Sequence, residues 1–220
     1  MTDYSKGETL KNFTVEKDAL YMCDRGYYHP EGIEYIVNGG AHVLIRVNIG
    51  GTTLYGPNGK IFDVIKHLHT LKGNHIGNWP VSFDTKQGKV SGRICAIRKS
   101  DIAAQHSIEK IYREYGKKQK TPTKATIEAA KYVVVFTTLP QEELPAVMAL
   151  DFYRGRWQVE LVFKRMKSIL GLGHLPKYDP VGAKAWIHGK LFCAMLIDAF
   201  TRAAEYFSPW GYPLEIKNAS

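Results

Sequence analysis

At 220 residues, 45% hydrophobic and 23% charged, the chain is long enough for a folded core and one or two domains. Its net charge of +9 is concentrated in the middle: residues 51–130 carry 14 Lys and Arg against 6 Asp and Glu, whereas residues 1–50 carry 5 against 7 and residues 131–220 carry 11 against 8. Such a basic middle third is the footprint expected of a phosphate-backbone binder, although a solvated basic face is the commoner cause of modest excess charge. Cys23, Cys95 and Cys193, odd in number and widely spaced, exclude a disulfide framework or a zinc site and imply a reducing compartment. The N-terminus lacks a signal-peptide pattern and the apolar stretch Leu191 to Phe200 is broken by Asp198, so neither export nor a membrane span is expected.

In chain order, the apolar run Leu20 to Cys23 reads as a short strand that ends at Asp24, beside a turn at Gly26. Ligands in open α/β sheets bind beyond such strand ends. Read alone, Asp24 also suits a cap or turn ahead of a helix over Pro30 to Asn38. Ala41 to Val47 reads as a buried strand. Glycines and prolines then punctuate short segments such as Ile61 to Ile65 and Val81 to Phe83, the texture of a small β-rich module. His67 and His69 alternate as on a strand or exposed turn and carry no metal motif. Lys89 to Arg98 is a further strand, Asp101 to Lys120 a basic helix, and Tyr132 to Thr138 the most β-branched run in the chain.

Leu150 to Ser168 reads as a helix in which Tyr153, Arg156, Glu160 and Lys167 share one narrow arc, within about a quarter-turn. Val159, Val162, Phe163, Met166, Ile169 and Leu170 form an apolar stripe on the other side. A carboxylate flanked by cations suits metal-assisted phosphate chemistry, although an ordinary solvent-facing helix also carries such pairs, at a few tenths of a kcal/mol each. Gly171 to Pro176 stops the helix, and Gly182 to Tyr206 reads as a long apolar helix with Trp186, Phe192 and Met195 in the core. The segment from Ser208 reads as a loop or tail.

The spacing Tyr-x2-Arg-x3-Glu-x6-Lys, the run RWQVELVFKRMKSILGLGHLP from Arg156, and the upstream block LYMCDRGYYHPEGIEYIVNGGAHVLIRVN from Leu20 resemble the DDE transposases of the insertion-sequence group named after that Tyr-Arg-Glu-Lys signature. The resemblance implies an RNase H-like α/β fold with a β-rich insertion domain. It divides the chain into a partial core at residues 1–48, an insertion at 49–131 and a C-terminal part at 132–220. It maps the second and third catalytic carboxylates, which are metal ligands, onto Asp24 and Glu160. Tyr153, Arg156, Lys164 and Lys167 are implied as phosphate-binding residues, and Arg25, Trp79, Lys117, Lys118 and Lys120 become candidates for DNA contact. Trp79, before Pro80, also suits a packed apolar corner, and the lysine run a solvated loop.

Mg2+, with Mn2+ as substitute, is the implied cofactor. Double-stranded DNA, as transposon ends and target, is the implied partner, together with self-association on DNA in a bacterial cytoplasm. The family's first Asp should precede Asp24 by three strands and a helix, at least roughly 35 residues, yet 23 residues stand before it. The expectation is therefore a C-terminal portion that lacks the first Asp and is inactive alone, with a DNA-binding or regulatory fragment as the alternative.

Overall fold

The computed structural model describes residues 9–169, 171 and 179–205, apart from some side chains within the last two helices. The chain divides into two compact units, one ending at Arg156 and the other beginning at Trp157. The first holds five strands, β1 (Leu20–Cys23), β2 (His42–Arg46), β3 (Ile76–Asp84), β4 (Lys89–Arg98) and β5 (Tyr132–Thr137). They form a single sheet in the order β1-β2-β5-β4-β3. Only β1 and β2 are parallel; the other neighbours are antiparallel.

A parallel pair needs a crossover, and α1 (Pro30–Asn38) supplies it. Pro30 opens the helix where no N–H is required. Gly40, at φ +77°, turns the chain back into β2. The hairpin of β3 and β4 closes at Thr85, whose N–H and hydroxyl both bond Gly88 O, at 2.8 and 3.0 Å. Because β4 pairs with both β3 and β5, the strands within residues 49–131 continue the same sheet as β1 and β2. α2 (Val64–Leu68), α3 (Asp101–Lys117) and α4 (Lys124–Ala130) fill the connections. Ser100 and Thr123 cap α3 and α4 by accepting the N–H groups of Ala103 and Thr126.

Strand alternation places side chains on two faces. Val43, Ile45, Ile94, Val134 and Phe136 join Ile33 and Ile36 of α1 in the larger core. Leu44, Cys95 and Val135 face the other way and are covered by Leu144, Ala149, Leu150 and Tyr153, from the start of α5 (Ala146–Ile169) and the loop before it. Each large side chain so buried contributes about 1.5–3 kcal/mol.

Several elements differ from the sequence reading. β3 is longer than Val81 to Phe83, because it pairs with β4 along its whole length. α2 occupies part of the segment read as β-rich. His67 lies in it, with Nδ1 2.7 Å from Asp63 O and its ring stacked on Phe62, while His69 meets Glu128 at 3.3 Å. α5 starts at Ala146, because its first turn packs on the sheet. In α6 (Pro180–Glu205), Trp186 is half-buried, but Phe192 and Met195 are 61% and 71% exposed and do not belong to the core. A helix apolar on several sides has more such surface than one packing face covers. The apolar stripe expected at Val159, Val162, Phe163, Met166, Ile169 and Leu170, the helix stop from 172 and the tail lie outside the described residues or side chains.

Candidate active site

Asp24 is the first residue beyond β1. The parallel register, with Cys23 opposite Ile45, brings it to the same sheet end as Arg46. Its Oδ1 accepts the Arg25 N–H at 2.7 Å and so caps a 3-10 turn over Arg25–Tyr27. The capping read from the sequence thus falls on this short turn and not on α1, whose N-cap is His29, and it holds the carboxylate in place.

α5 brings two further groups to the same oxygen. Tyr153, 7% exposed, donates its hydroxyl to Asp24 Oδ1 at 3.3 Å. Arg156 Nη2 stands 3.8 Å from that atom, and its guanidinium carbon lies 5.5 Å from the centre of the Tyr153 ring. The three-residue spacing sets phenol and guanidinium on one helix face.

Burial pushes the Asp24 carboxyl up, but the Arg25 N–H, Arg156, the Tyr153 hydroxyl and Arg46 together outweigh it and hold the group below its ordinary value. It is ionised at neutral pH, and half of its side-chain surface is exposed, so a ligand can reach it. Burial pushes the Tyr153 phenol up, which keeps it a proton donor. Cys23 is pushed up to about 11 by burial and is an inert thiol.

An ionised, accessible carboxylate has the hard oxygen chemistry that divalent cations take. Among the described residues no three His, Cys, Asp or Glu side chains converge, so Asp24 is one donor toward such an ion. Glu160 lies one helical turn beyond Arg156 on α5, and its side chain is outside those described. Lys164 and Lys167 are exposed on later turns of α5.

The remaining candidates fall elsewhere. Arg25 lines a cleft beside Asp24, as does Lys118, the C-cap of α3; Lys117 and Lys120 are exposed next to it. Trp79 packs over Gly77, with ring centres 6.1 Å from Phe62 and 5.5 Å from His67. Sequence reasoning missed Arg46, Lys99 and Lys110, which line the same cleft. Arg46 ends a strand that is otherwise buried, the one local signal that it faces something polar. It also missed Arg93, a buried arginine in β4 that bonds the loop leading to α5.

An open α/β sheet with an ionised Asp at the end of a parallel strand, met by Tyr and Arg from a long helix, is consistent with an RNase H-like domain. Residues 7–196 match the family described as transposase DDE domain, and the chain belongs to that family. It is 33% identical over 224 residues to the transposase for insertion sequence element IS421 of Escherichia coli, covering 99% of this chain and 60% of the relative. InsL, from insertion sequence element IS186A of Escherichia coli strain K12, is equally similar. The transposase for element IS231F of Bacillus thuringiensis subsp. israelensis is 22% identical over 83% of this chain and 42% of its own length. The chain thus spans about 60% of the length of the Escherichia coli relatives. Transposases of this family act on DNA and generally use divalent metal ions. No helix among the described residues is long and apolar enough to cross a membrane.

Proposed function

We propose that this chain is a catalytic region of an insertion-sequence transposase, which cuts DNA at a transposon end and joins the freed 3′-hydroxyl to target DNA in the bacterial cytoplasm. The observation that carries this reading is the convergence of Tyr153 and Arg156 on the ionised Asp24 at the end of β1. Asp24 and Glu160 would hold Mg2+, with Mn2+ as substitute; such an ion lowers the pKa of an attacking oxygen and stabilises the leaving one. Asp24 is kept charged for that task by its neighbours. Arg156, fixed against the Tyr153 ring, presents a guanidinium suited to a phosphate oxygen. Lys164 and Lys167 continue the cationic side of α5 along the cleaved strand. Paired subunits on paired DNA ends complete the reading.

A binding-only role is the second reading. It is favoured by the excess of Lys and Arg over residues 51–130, 14 against 6 Asp and Glu. The two readings separate in a nicking assay on transposon-end DNA with Mg2+ or Mn2+. Where the unaltered chain nicks, Glu160→Gln is expected to abolish that nicking and leave DNA affinity intact. Equal activity in the variant sinks the catalytic assignment, and tight binding without nicking by the unaltered chain favours the second reading.

A further inference from the structure

Beside Asp24, on the side away from α5, a cavity of about 710 Å³ opens between the ends of β2, β4 and β5 and one face of α3. Arg25, Arg46, Lys99, Lys110 and Lys118 line it against a single carboxylate, Glu114. That carboxylate is already engaged, 3.9 Å from Lys110. Among the described residues, Arg25, Arg46, Lys99 and Lys118 have no acidic partner within salt-bridge distance. Four cations without a salt bridge around one concavity repel each other, the Asp24 carboxylate offsetting part of the Arg46 charge, and an entering anion relieves the rest.

Tyr28, 3% exposed, forms part of the cavity wall. Lys99 is fixed where β4 gives way to α3: its ammonium donates to Ala130 O at 2.7 Å and to Ser107 Oγ at 2.8 Å. Burial first, then the neighbouring Arg46 and Arg25 charges, push it down to about 8.

We infer that this cleft is a second phosphate-binding locus, which seats backbone phosphates of DNA on Arg25, Arg46 and Lys99 next to the strand position held at Asp24. The cavity has the size of a small-ligand pocket and cannot enclose a duplex, so one strand passes over its mouth with its phosphates directed inward. Arg25 follows Asp24 in the chain and Arg46 lies at the same sheet end, so the two loci adjoin. The inference rests on DNA being the substrate, as proposed above.

The test measures binding of the full chain to a fluorescent DNA duplex by anisotropy over a range of salt concentrations. Arg25→Gln and Arg46→Gln, singly and together, are compared with Lys60→Gln, an exposed cation that does not line the cavity. Each cleft variant is expected to weaken binding about tenfold and to lower the salt slope by about one; Lys60→Gln should do neither. Inorganic phosphate should raise the melting temperature of the unaltered chain and not of the double variant. Unchanged affinity and slope in a double variant that still melts cooperatively overturns the inference. Phosphate stabilisation that the double variant loses, with DNA affinity unchanged, overturns DNA as the source of the phosphate. Nicking is read in the same samples: cleft-dependent binding with no nicking counts against the catalytic reading and for the cleft, and nicking with cleft-independent binding does the reverse.

Discussion

Arg93 offers the sharpest test of how the fold positions α5. It sits in the middle of β4, 6% exposed, and its guanidinium works as a clamp on the loop between β5 and α5. Nε donates to Leu139 O at 2.9 Å, Nη1 to Gln141 Oε1 at 2.9 Å and to Asn78 Oδ1 at 3.0 Å, and Nη2 to Leu144 O. Arg93→Met keeps most of the apolar stem and removes every one of these bonds. Hydrogen bonds to a charged group contribute about 1.5–3 kcal/mol each, and part of that sum is returned because a guanidinium no longer has to be desolvated. The net expected loss is about 3–5 kcal/mol, in the range of a broken buried polar network. Arg93→Lys, which keeps the charge but not the planar fork, should lie between. Hydrogen exchange followed by mass spectrometry on peptides from β4 and β5 reads this within the first unit. Protection should fall by about a hundredfold or more for Arg93→Met. The loop and the start of α5 should open first, and the Tyr153 to Asp24 contact with them. A change under about fivefold, or about 1 kcal/mol, would refute the argument and assign the loop's position to the packing of Leu144 and Ala149 alone.

Three further outcomes follow from the same geometry. A Cβ at Gly92 would lie 2.4 Å from Phe136 Cζ and 2.5 Å from Thr137 O, so Gly92→Ala should destabilise by about 1–3 kcal/mol, while Gly88→Ala, with nothing within 4 Å, should leave the same denaturation midpoint nearly unchanged. Tyr153→Phe removes a donor to the Asp24 carboxylate, so the Asp24 pKa, followed by carboxyl carbon NMR, should rise toward its ordinary value; a lower value would contradict the assigned contact. The stability that Asp24 contributes is present above its ordinary pKa of 3.8 and is lost as pH falls below that and through the depressed folded value. Lys99 runs the other way: with its pKa pushed down to about 8, it is charged at pH 7 and loses its charge as pH rises through 8. DNA affinity should therefore decline between pH 7 and 9, with Arg25, Arg46, Lys110, Lys118, Glu114, His29, Tyr28, Tyr115 and Tyr132 as the other charged or titratable groups lining the cleft, and Lys99→Gln should remove most of the decline.

Much of this protein is written in local pattern. The short apolar run within His42–Arg46 and the β-branched run of Tyr132–Thr137 announce buried strands, and Lys89–Arg98 reads as another. Asp24 is visible as the polar residue that ends an apolar run, and Tyr153 and Arg156 share a face because a helix repeats every 3.6 residues. These are properties of a few consecutive residues, and they hold before any folding partner is known. The early start of α5 was harder to see, because its first turn is helical for what it packs against.

Local pattern thus carries the elements and the groups set on them: an Asp at a strand end, a helix bearing phenol, guanidinium and carboxylate, and a basic middle third. The tertiary structure decided which of those groups meet. Asp24 shares its sheet end with Arg46 because β1 and β2 run parallel, and Tyr153 reaches Asp24 across 129 positions in the chain. Lys99 and Arg25 crowd one cleft although 74 positions separate them in the chain. Pairings over such separations depend on strand register and on which face of the sheet each helix covers, and both are set by burying the apolar faces together. No stretch of consecutive residues carries that information.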